Sequence, residues 1–124
     1  MATTISDLIH KHIDNIWSET DPKKRRIAIS EVYSEYCRVY DPFFEDVIVG
    51  HDALMGLIDE VQAKNPGFKF TIIPESIDEH HGQVRFNWFY GPPEEPSKIT
   101  GQDFILVEDG KIISLTLFID ALSS

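Results

Sequence analysis

The chain has 124 residues, a length that fits one domain, residues 1–124, with a core and one modest cavity. Its formal net charge of -10 argues against a nucleic-acid partner, because phosphate binding depends on clustered Lys and Arg. The only cysteine, Cys37, excludes an internal disulfide and suits a reducing compartment. Since no long apolar run occurs either, the sequence predicts a cytoplasmic protein with no membrane partner.

The N-terminal half of the chain shows the hydrophobic spacing of amphipathic helices. Residues about 3–19 carry apolar side chains at i, i+3, i+4 and i+7, which predicts a first helix. Asp21 followed by Pro22 indicates the start of a second helix, because Asp caps free backbone N–H groups and Pro suits the first helical position. This helix is expected to place on one face Ile29, Val32, Tyr33, Tyr36 and Cys37. A third helix has apolar residues between 54 and 61 and is expected to end before Asn65, since a proline follows.

Beyond Gly67 the apolar period falls to two, the spacing of a strand with one buried face. Strands are predicted at residues 68–72, 83–91, 98–108 and 111–120. Short extended segments are expected between residues 39 and 50. Three helices followed by about four long strands predict an α+β domain in which the helices cover one face of an antiparallel sheet.

The Asp-Gly pair at 109–110 predicts a two-residue turn that sets the register of the last hairpin. Counting back from this turn places Asp103 opposite Thr116 and Gly101 opposite Phe118 on one face of the sheet. The other face is then almost wholly apolar and holds Phe104, Leu106, Ile113, Leu115, Leu117 and Ile119.

Both faces of this hairpin are expected to be covered, because neither alternates with charged residues as a solvated sheet face would. The three helices cover one face, and a second copy of the chain in a twofold dimer is the simplest cover for the other. We assign the face with Asp103 to the helices and the apolar face to the subunit interface. The reverse assignment stays open at this point.

The carboxylate of Asp103 is the functional lead, since it stands where a strand would normally place an apolar side chain. An unpaired carboxylate is strongly unfavourable away from water, so the site is expected to be hydrogen-bonded or to open into a wet pocket. Burial would raise its pKa, which suits a general acid or base near neutral pH. In the alternative interpretation, Asp103 caps a local turn or forms a static salt bridge with Arg85.

Short motifs in a fixed order span nearly the whole chain. They are Tyr36, Asp41-Pro42, Gly50, Pro66-Gly67-Phe68, His80-His81-Gly82, Arg85 to Trp88, Gly91-Pro92, Gly101 to Phe104, Asp109 to Ile112 and Phe118 to Asp120. Each motif alone has low specificity, whereas the ordered set is fairly specific. The set resembles the SnoaL-like branch of the nuclear transport factor 2-like superfamily.

The resemblance implies a fold in which three helices pack on a strongly curved, mixed or antiparallel sheet. This sheet forms a cone-shaped half-barrel with an internal pocket, and dimers form through it. The superfamily includes polyketide cyclases, ketosteroid isomerases, scytalone dehydratases and limonene-epoxide hydrolases. In SnoaL-like cyclases a pocket Asp is the acid or base, and Asp103 matches it; no cofactor or metal is implied. The hydrolases also use an Arg, but strand alternation turns Arg85 away from the side to which Trp88 points.

Seven further side chains are candidates for ligand binding: Tyr36, Tyr40, Phe43, Phe70, Trp88, Phe118 and Asp120. For Tyr36, Trp88 and Phe118, a plain core position is an equally good interpretation or a better one. Asp41 before Pro42 reads as a turn or cap residue. Metal binding is disfavoured, because no ligand motif is present and His10 and His12 diverge on a helix.

Two functional hypotheses follow. In the first, the protein is a cofactor-independent enzyme that binds a small apolar or aromatic carbonyl compound and moves a proton on it with Asp103, as in cyclisation, isomerisation or dehydration. In the second, the protein is a non-catalytic module that binds a ligand or only dimerises, since a single carboxylate without an acid partner gives little support for catalysis.

Overall fold

The computed structural model describes residues 4–120, and its first half contains the three predicted helices. Helix α1 spans Ile5–His10, is capped by Thr4 and continues as a π-helix over Lys11–Trp17. Helix α2 spans Pro22–Val32 behind the Asp21 cap, and α3 spans His51–Lys64. The first and third helices are confirmed where they were predicted. The exceptions in the first are residue 3, which lies outside the described residues, Thr4, which is the cap, and residues 18 and 19, which follow the π-helix.

The second helix ends earlier than predicted, and strand β1 follows it directly over Tyr33–Tyr40. Placing Tyr33, Tyr36 and Cys37 on the helix was therefore wrong. The reason is an irregularity in β1 between Tyr33 and Arg38, which buries Tyr33 and Cys37 at a spacing of four and so imitates a helical face. Tertiary pairing with the last strand decides the conformation of this aromatic-rich segment.

Seven strands form a mixed, curved and unclosed sheet in the order β2-β1-β7-β6-β5-β3, with β4 paired to β5. The remaining strands are β2 Ile48–Val49, β3 Lys69–Ile72, β4 Asp78–His80, β5 Gln83–Gly91, β6 Ile99–Glu108 and β7 Lys111–Ile119. All pairs are antiparallel except β1 with β7, which is parallel. The predicted α+β class is confirmed. Strand β2 lies in the region where short extended segments were expected, and β1 and β4 come in addition to the four long strands predicted.

The last hairpin starts in the predicted register and then shifts by one residue. Glu108 pairs with Lys111 as expected, but a bulge next to Leu106 inserts an extra residue in β7. Asp103 therefore lies opposite Leu117, and the predicted pairing with Thr116 was wrong. A one-residue shift exchanges the two faces of a strand, so β7 presents its side chains the other way round from the prediction.

The exchange changes what each face of the sheet carries. Leu115 and Leu117 are buried on the helix side, while Phe118 is 55% exposed on the outer side. The predicted apolar face therefore does not exist as a block; its members Phe104 and Leu106 remain on the outer side, half-buried. The assignment of Asp103 to the helix-covered side is confirmed, since its carboxylate contacts the π-helix.

The helical layer is held together by the buried guanidinium of Arg25. It donates to the backbone carbonyl of Glu19 at 3.0 Å, to Asp59 at 2.5 Å and to Gln62 at 2.9 Å. These contacts join α2 and α3 to the chain that follows the π-helix. The C-terminal half of α3 is thereby fixed above the inner face of the sheet.

Candidate functional site

A cavity of about 360 Å³ lies between the C-terminal half of α3, the turn after β1 and the inner face of the sheet. Its walls are mostly aromatic and aliphatic, with a few polar side chains. The lining residues are Trp17, Asp41, Phe43, Phe44, Glu60, Val61, Lys64, Asn65, Phe70, Trp88, Tyr90, Ile99, Leu117 and Ile119. A largely apolar cavity with a few polar groups is typical of small-molecule sites.

The structure places three of the predicted ligand-binding residues, Phe43, Phe70 and Trp88, in this wall. Trp88 comes from the inward side of β5, where strand alternation buries every second residue. Its ring packs edge-on against Phe70 of the neighbouring strand, with centroids 5.1 Å apart.

The other four predicted ligand-binding residues do not line the cavity. Tyr36 is 76% exposed, because it belongs to β1 and not to a helix. Tyr40 and Phe118 border a second, shallower hollow of about 250 Å³, and the bulge in β7 turns Phe118 outward. Asp120 is exposed and accepts a hydrogen bond from Thr100 at 2.7 Å.

Asp103 is 3% exposed and does not line the cavity. Both carboxylate oxygens are engaged: Oδ1 accepts from the indole Nε1–H of Trp88 at 2.8 Å, and Oδ2 lies 3.0 Å from Nε2 of His12. The carboxylate therefore lies behind the Trp88 ring. The alternative pairing with Arg85 is wrong, since Arg85 faces solvent and pairs with Asp78 at 3.3 Å.

The hydrogen-bonded chain continues from His12 to a second tryptophan. The hydroxyl of Tyr33 lies 2.7 Å from Nδ1 of His12, and the indole Nε1–H of Trp17 donates to the Tyr33 oxygen at 3.2 Å. Burial raises the pKa of Tyr33 well above 10.0, so its hydroxyl keeps its proton. Within residues 4–120, every buried side-chain polar atom has a partner.

The π-helix explains how His12 and Trp17 come to face the same way. Residues five apart lie about 140° apart around an α-helix of 3.6 residues per turn. The wider winding joins residues five apart by hydrogen bonds, as from Ser18 N–H to the Ile13 carbonyl at 2.8 Å. The rings of His12 and Trp17 consequently lie with their centroids 6.3 Å apart. For His12, the signal in the sequence was its position among apolar residues on one side of a helix.

Asp41 is the buried carboxylate in the cavity wall. It follows the last residue of β1, and its Oδ1 accepts the backbone N–H of Phe43 at 2.9 Å, the turn role expected from its sequence. Asp41 is only 7% exposed. Burial raises the pKa of its carboxyl above 3.8, and the charge of Glu60 adds to the rise. Such a carboxyl is suited to both accept and give up a proton.

The wall contains four further polar side chains, Tyr90, Asn65, Lys64 and Glu60. Tyr90 stacks on Phe70 with ring centroids 4.0 Å apart, and burial raises its pKa to about 12 against the opposing effect of Asn65. Its hydroxyl is therefore a hydrogen-bond donor at neutral pH. At the exposed side of the cavity, Lys64 pairs with Glu60 at 3.0 Å.

The sequence profile of the SnoaL-like domain matches residues 9–115. The chain belongs to the SnoaL-like family. No curated protein gave a significant match.

Solved structures share the fold of this SnoaL-like protein. A candidate isomerase of the SnoaL-like family from Agrobacterium tumefaciens is 24% identical, with a TM-score of 0.81 over 91% of this chain and 94% of its own. A candidate polyketide cyclase from Sinorhizobium meliloti is 14% identical, with a TM-score of 0.70 over 90% and 93%. A protein with a ketosteroid isomerase-like fold from Catenulispora acidiphila, in complex with trimethylamine, is 13% identical, with a TM-score of 0.73 over 93% and 86%.

The SnoaL-like domain therefore presents an apolar cavity with one buried carboxylate, Asp41, and one buried phenol, Tyr90. No group of three or more potential metal ligands occurs among residues 4–120. In the same range, no helix is long and apolar enough to cross a membrane. The chemistry that these side chains can supply is proton transfer and hydrogen bonding to a ligand held by its apolar surface.

Proposed function

We propose that this SnoaL-like protein binds a small, largely apolar carbonyl compound in the cavity and moves a proton on it, with Asp41 as the acid and base. The observation that carries the proposal is the position of Asp41, a carboxylate in a mostly aromatic wall whose pKa is raised by burial. A base in such surroundings is strengthened by the loss of water around it. The reaction needs no cofactor.

The chemistry is a balanced proton shuttle. The Asp41 carboxylate takes a proton from the carbon beside the carbonyl, and the electron pair of the C–H bond moves to the carbonyl oxygen as an enolate. The Tyr90 hydroxyl, which stays protonated, is available to donate to that oxygen. Return of the proton from Asp41 to a different carbon of the conjugated enolate completes an isomerisation. In a cyclisation, the enolate carbon attacks a second carbonyl, and the proton passes from Asp41 to the alkoxide that forms there, which restores the carboxylate.

Asp41 thus takes the proton-transfer role that the sequence suggested for Asp103. Asp103 satisfies the requirement for a buried carboxylate, but its two oxygens are occupied by Trp88 and His12 and the indole separates it from the cavity. A general base must come within hydrogen-bond reach of the proton that it removes. Asp41 meets that condition for a ligand in the cavity.

Structural relatives support the class of reaction and the kind of ligand. Two of them are a candidate isomerase and a candidate polyketide cyclase. Isomerisation and cyclisation are both reactions that proton transfer next to a carbonyl group can bring about. Another holds trimethylamine, a small organic molecule. Because sequence identity is low, the substrate itself is left to experiment.

The experiment uses hydrogen exchange on a simple ketone, which does not require the natural substrate. 2-Indanone is incubated with the protein in D₂O, and loss of its protons beside the carbonyl is followed by ¹H NMR. We expect the protein to accelerate exchange and Asp41→Asn to abolish the acceleration, while Asp120→Asn, an exposed carboxylate, keeps it. An acceleration by Asp41→Asn equal to that of the unaltered protein would overturn the role of Asp41. Binding of the ketone without any exchange would favour the non-catalytic ligand-binding alternative.

We further propose that two copies of the chain associate through the outer face of the sheet. The supporting observation is an outer surface with apolar side chains open to solvent. It carries the exposed Phe118 and, along β6 on the same face, the half-buried Phe104 and Leu106. A twofold dimer would cover this surface with a copy of itself. The helices cover the opposite face.

A further inference from the structure

We propose that His12, Tyr33 and Asp103 form a positioning network that fixes both tryptophan rings of the cavity wall through one directed chain of hydrogen bonds. The chain runs from Trp17 through these three residues to Trp88. Both indole rings line the cavity, so the network begins and ends at the proposed ligand site. The inference rests on the proposed function only in taking this cavity as the place where a ligand binds.

The direction of the chain follows from its two ends. An indole N–H is a donor only, so Trp17 must donate to the Tyr33 oxygen and Trp88 must donate to Asp103. The Tyr33 hydroxyl then has its own proton to place, and the nitrogen 2.7 Å away, Nδ1 of His12, accepts it. His12 therefore carries its proton on Nε2 and donates it to Asp103 at 3.0 Å. The carboxylate ends the chain as an ion that accepts from both sides.

Every other placement of the protons leaves a buried group unpaired. If Asp103 were protonated and donated to His12, Nδ1 of His12 would carry a proton and point it at Tyr33. The Tyr33 oxygen would then accept from both His12 and Trp17, and its own proton would face no acceptor. A doubly protonated His12 creates the same conflict at Tyr33. Unpaired buried donors are strongly unfavourable, so the network has one stable arrangement.

The arrangement couples two indole rings that come from different layers of the fold. Trp17 stands on the π-helix and Trp88 on β5, and each is anchored by its only polar atom. A change in the proton position at Asp103 must therefore reach Trp17 through His12 and Tyr33. Fixed aromatic walls lower the ordering cost of binding, which is why we assign the network a positioning role.

Asp103→Asn tests the directed chain, because the amide has nearly the shape of the carboxylate but donates on one side. The protein has two tryptophans, so its indole N–H groups give two cross-peaks in a ¹H–¹⁵N spectrum. We expect Asp103→Asn to shift both, including that of Trp17. The control Asp78→Asn, on the exposed β4, should move neither. A shift confined to Trp88 would overturn the coupling.

Two further measurements keep the test decisive if the asparagine variant folds poorly. Tyr33→Phe removes the middle hydroxyl, and we expect it to shift the Trp88 signal as well as that of Trp17. In the unaltered protein, the ¹⁵N signals of His12 should show a proton on Nε2 and none on Nδ1. The opposite tautomer, or a doubly protonated ring, would contradict the proposed chain.

Kinetics on 2-indanone separate this role from that of Asp41. A positioning network acts on binding, so Asp103→Asn should raise KM about tenfold and leave kcat within about threefold. Asp41→Asn should abolish kcat. An unchanged KM for Asp103→Asn would contradict the positioning role. An Asp41→Asn protein that keeps its kcat would contradict the proposed function and leave the positioning role of the network untouched.

Discussion

Nε2 of His12 lies 3.0 Å from Oδ2 of Asp103, although the two residues are 91 positions apart in the sequence. The pair joins the π-helix to the middle of β6, and almost none of either side chain is exposed. A pair buried in this way stabilises the fold only while both partners are present, because removing one leaves a polar atom of the other without its hydrogen bond and away from water. The stability of the helix-on-sheet packing therefore depends on this contact.

We predict that His12→Leu lowers the free energy of unfolding by about 3–5 kcal/mol, because two buried polar groups, one of them an ion, each lose a hydrogen-bond partner. Leucine keeps the site apolar and filled, but it leaves Asp103 with one donor and Tyr33 without an acceptor. Urea unfolding followed by tryptophan fluorescence measures the change. The matched control is Arg26→Ala, which breaks the exposed Arg26–Asp52 pair and should cost less than about 1 kcal/mol. Equal losses of unfolding free energy for the two variants would show that the buried contact between His12 and Asp103 contributes no more than an exposed ion pair.

The pH dependence of stability should reveal Asp41. Because its pKa is raised above 3.8 by burial, the folded state binds its proton more tightly than the unfolded state does. This group therefore lowers stability progressively as pH rises from about 3.8 through its folded pKa, and the penalty stays at higher pH. We predict that Asp41→Asn raises Tm at pH 7 and that the gain disappears near pH 3.

Thermal unfolding of both proteins between pH 3 and pH 8 checks this prediction. Asp120→Asn is a suitable control, since the side chain is exposed and should give a difference that is small at every pH. A destabilised Asp41→Asn at neutral pH would show that hydrogen bonding to Phe43, and not burial, dominates at this position. Greater stability with lost exchange activity is a common trade at functional sites.

Much of the architecture was predictable from local patterns. The start of α2 at Asp21-Pro22, the end of α3 before Asn65 and the Asp-Gly turn all follow from backbone preferences of single residues. The failures occurred where tertiary contacts override such preferences. The strand after Val32 imitated a helix because of its irregular pairing, and the bulge in β7 left no mark in the alternation of apolar residues.

The candidate site shows the same division. Trp88 and Phe70 were predicted to bind ligand from their places on alternating strands, and both line the cavity. The surroundings of Asp103 were not predictable, because its partner His12 depends on a π-helix that standard helical spacing does not reveal. Asp41 was interpreted only as a turn residue, because an Asp-Pro pair indicates a turn, whereas its place in the cavity wall depends on tertiary packing.

The outer face of the sheet gives a prediction about association. If two copies pair through this face, Phe118→Asp should convert a dimer to a monomer, because a charge at the centre of an apolar contact is strongly unfavourable. Light scattering coupled to size-exclusion chromatography measures the mass. Asp109→Asn, at the exposed hairpin turn, should leave the dimer unchanged. A monomer for the unaltered protein at micromolar concentration would refute the proposed dimer.

Gly101 should be intolerant of any side chain, because a Cβ there would clash with the indole ring of Trp88 and with the backbone carbonyl of Phe118. We predict that Gly101→Ala costs about 1–3 kcal/mol of stability, as overpacked positions do. It should also weaken 2-indanone binding, since the displaced ring lines the cavity.

Gly56→Ala is the matched control: nothing lies within 4 Å of its added Cβ, and the residue lies inside α3. There the same substitution should stabilise by about 0.5–1 kcal/mol. Urea unfolding and ligand titration on both variants check the pair, and a Gly101→Ala protein as stable as the parent would refute the packing argument.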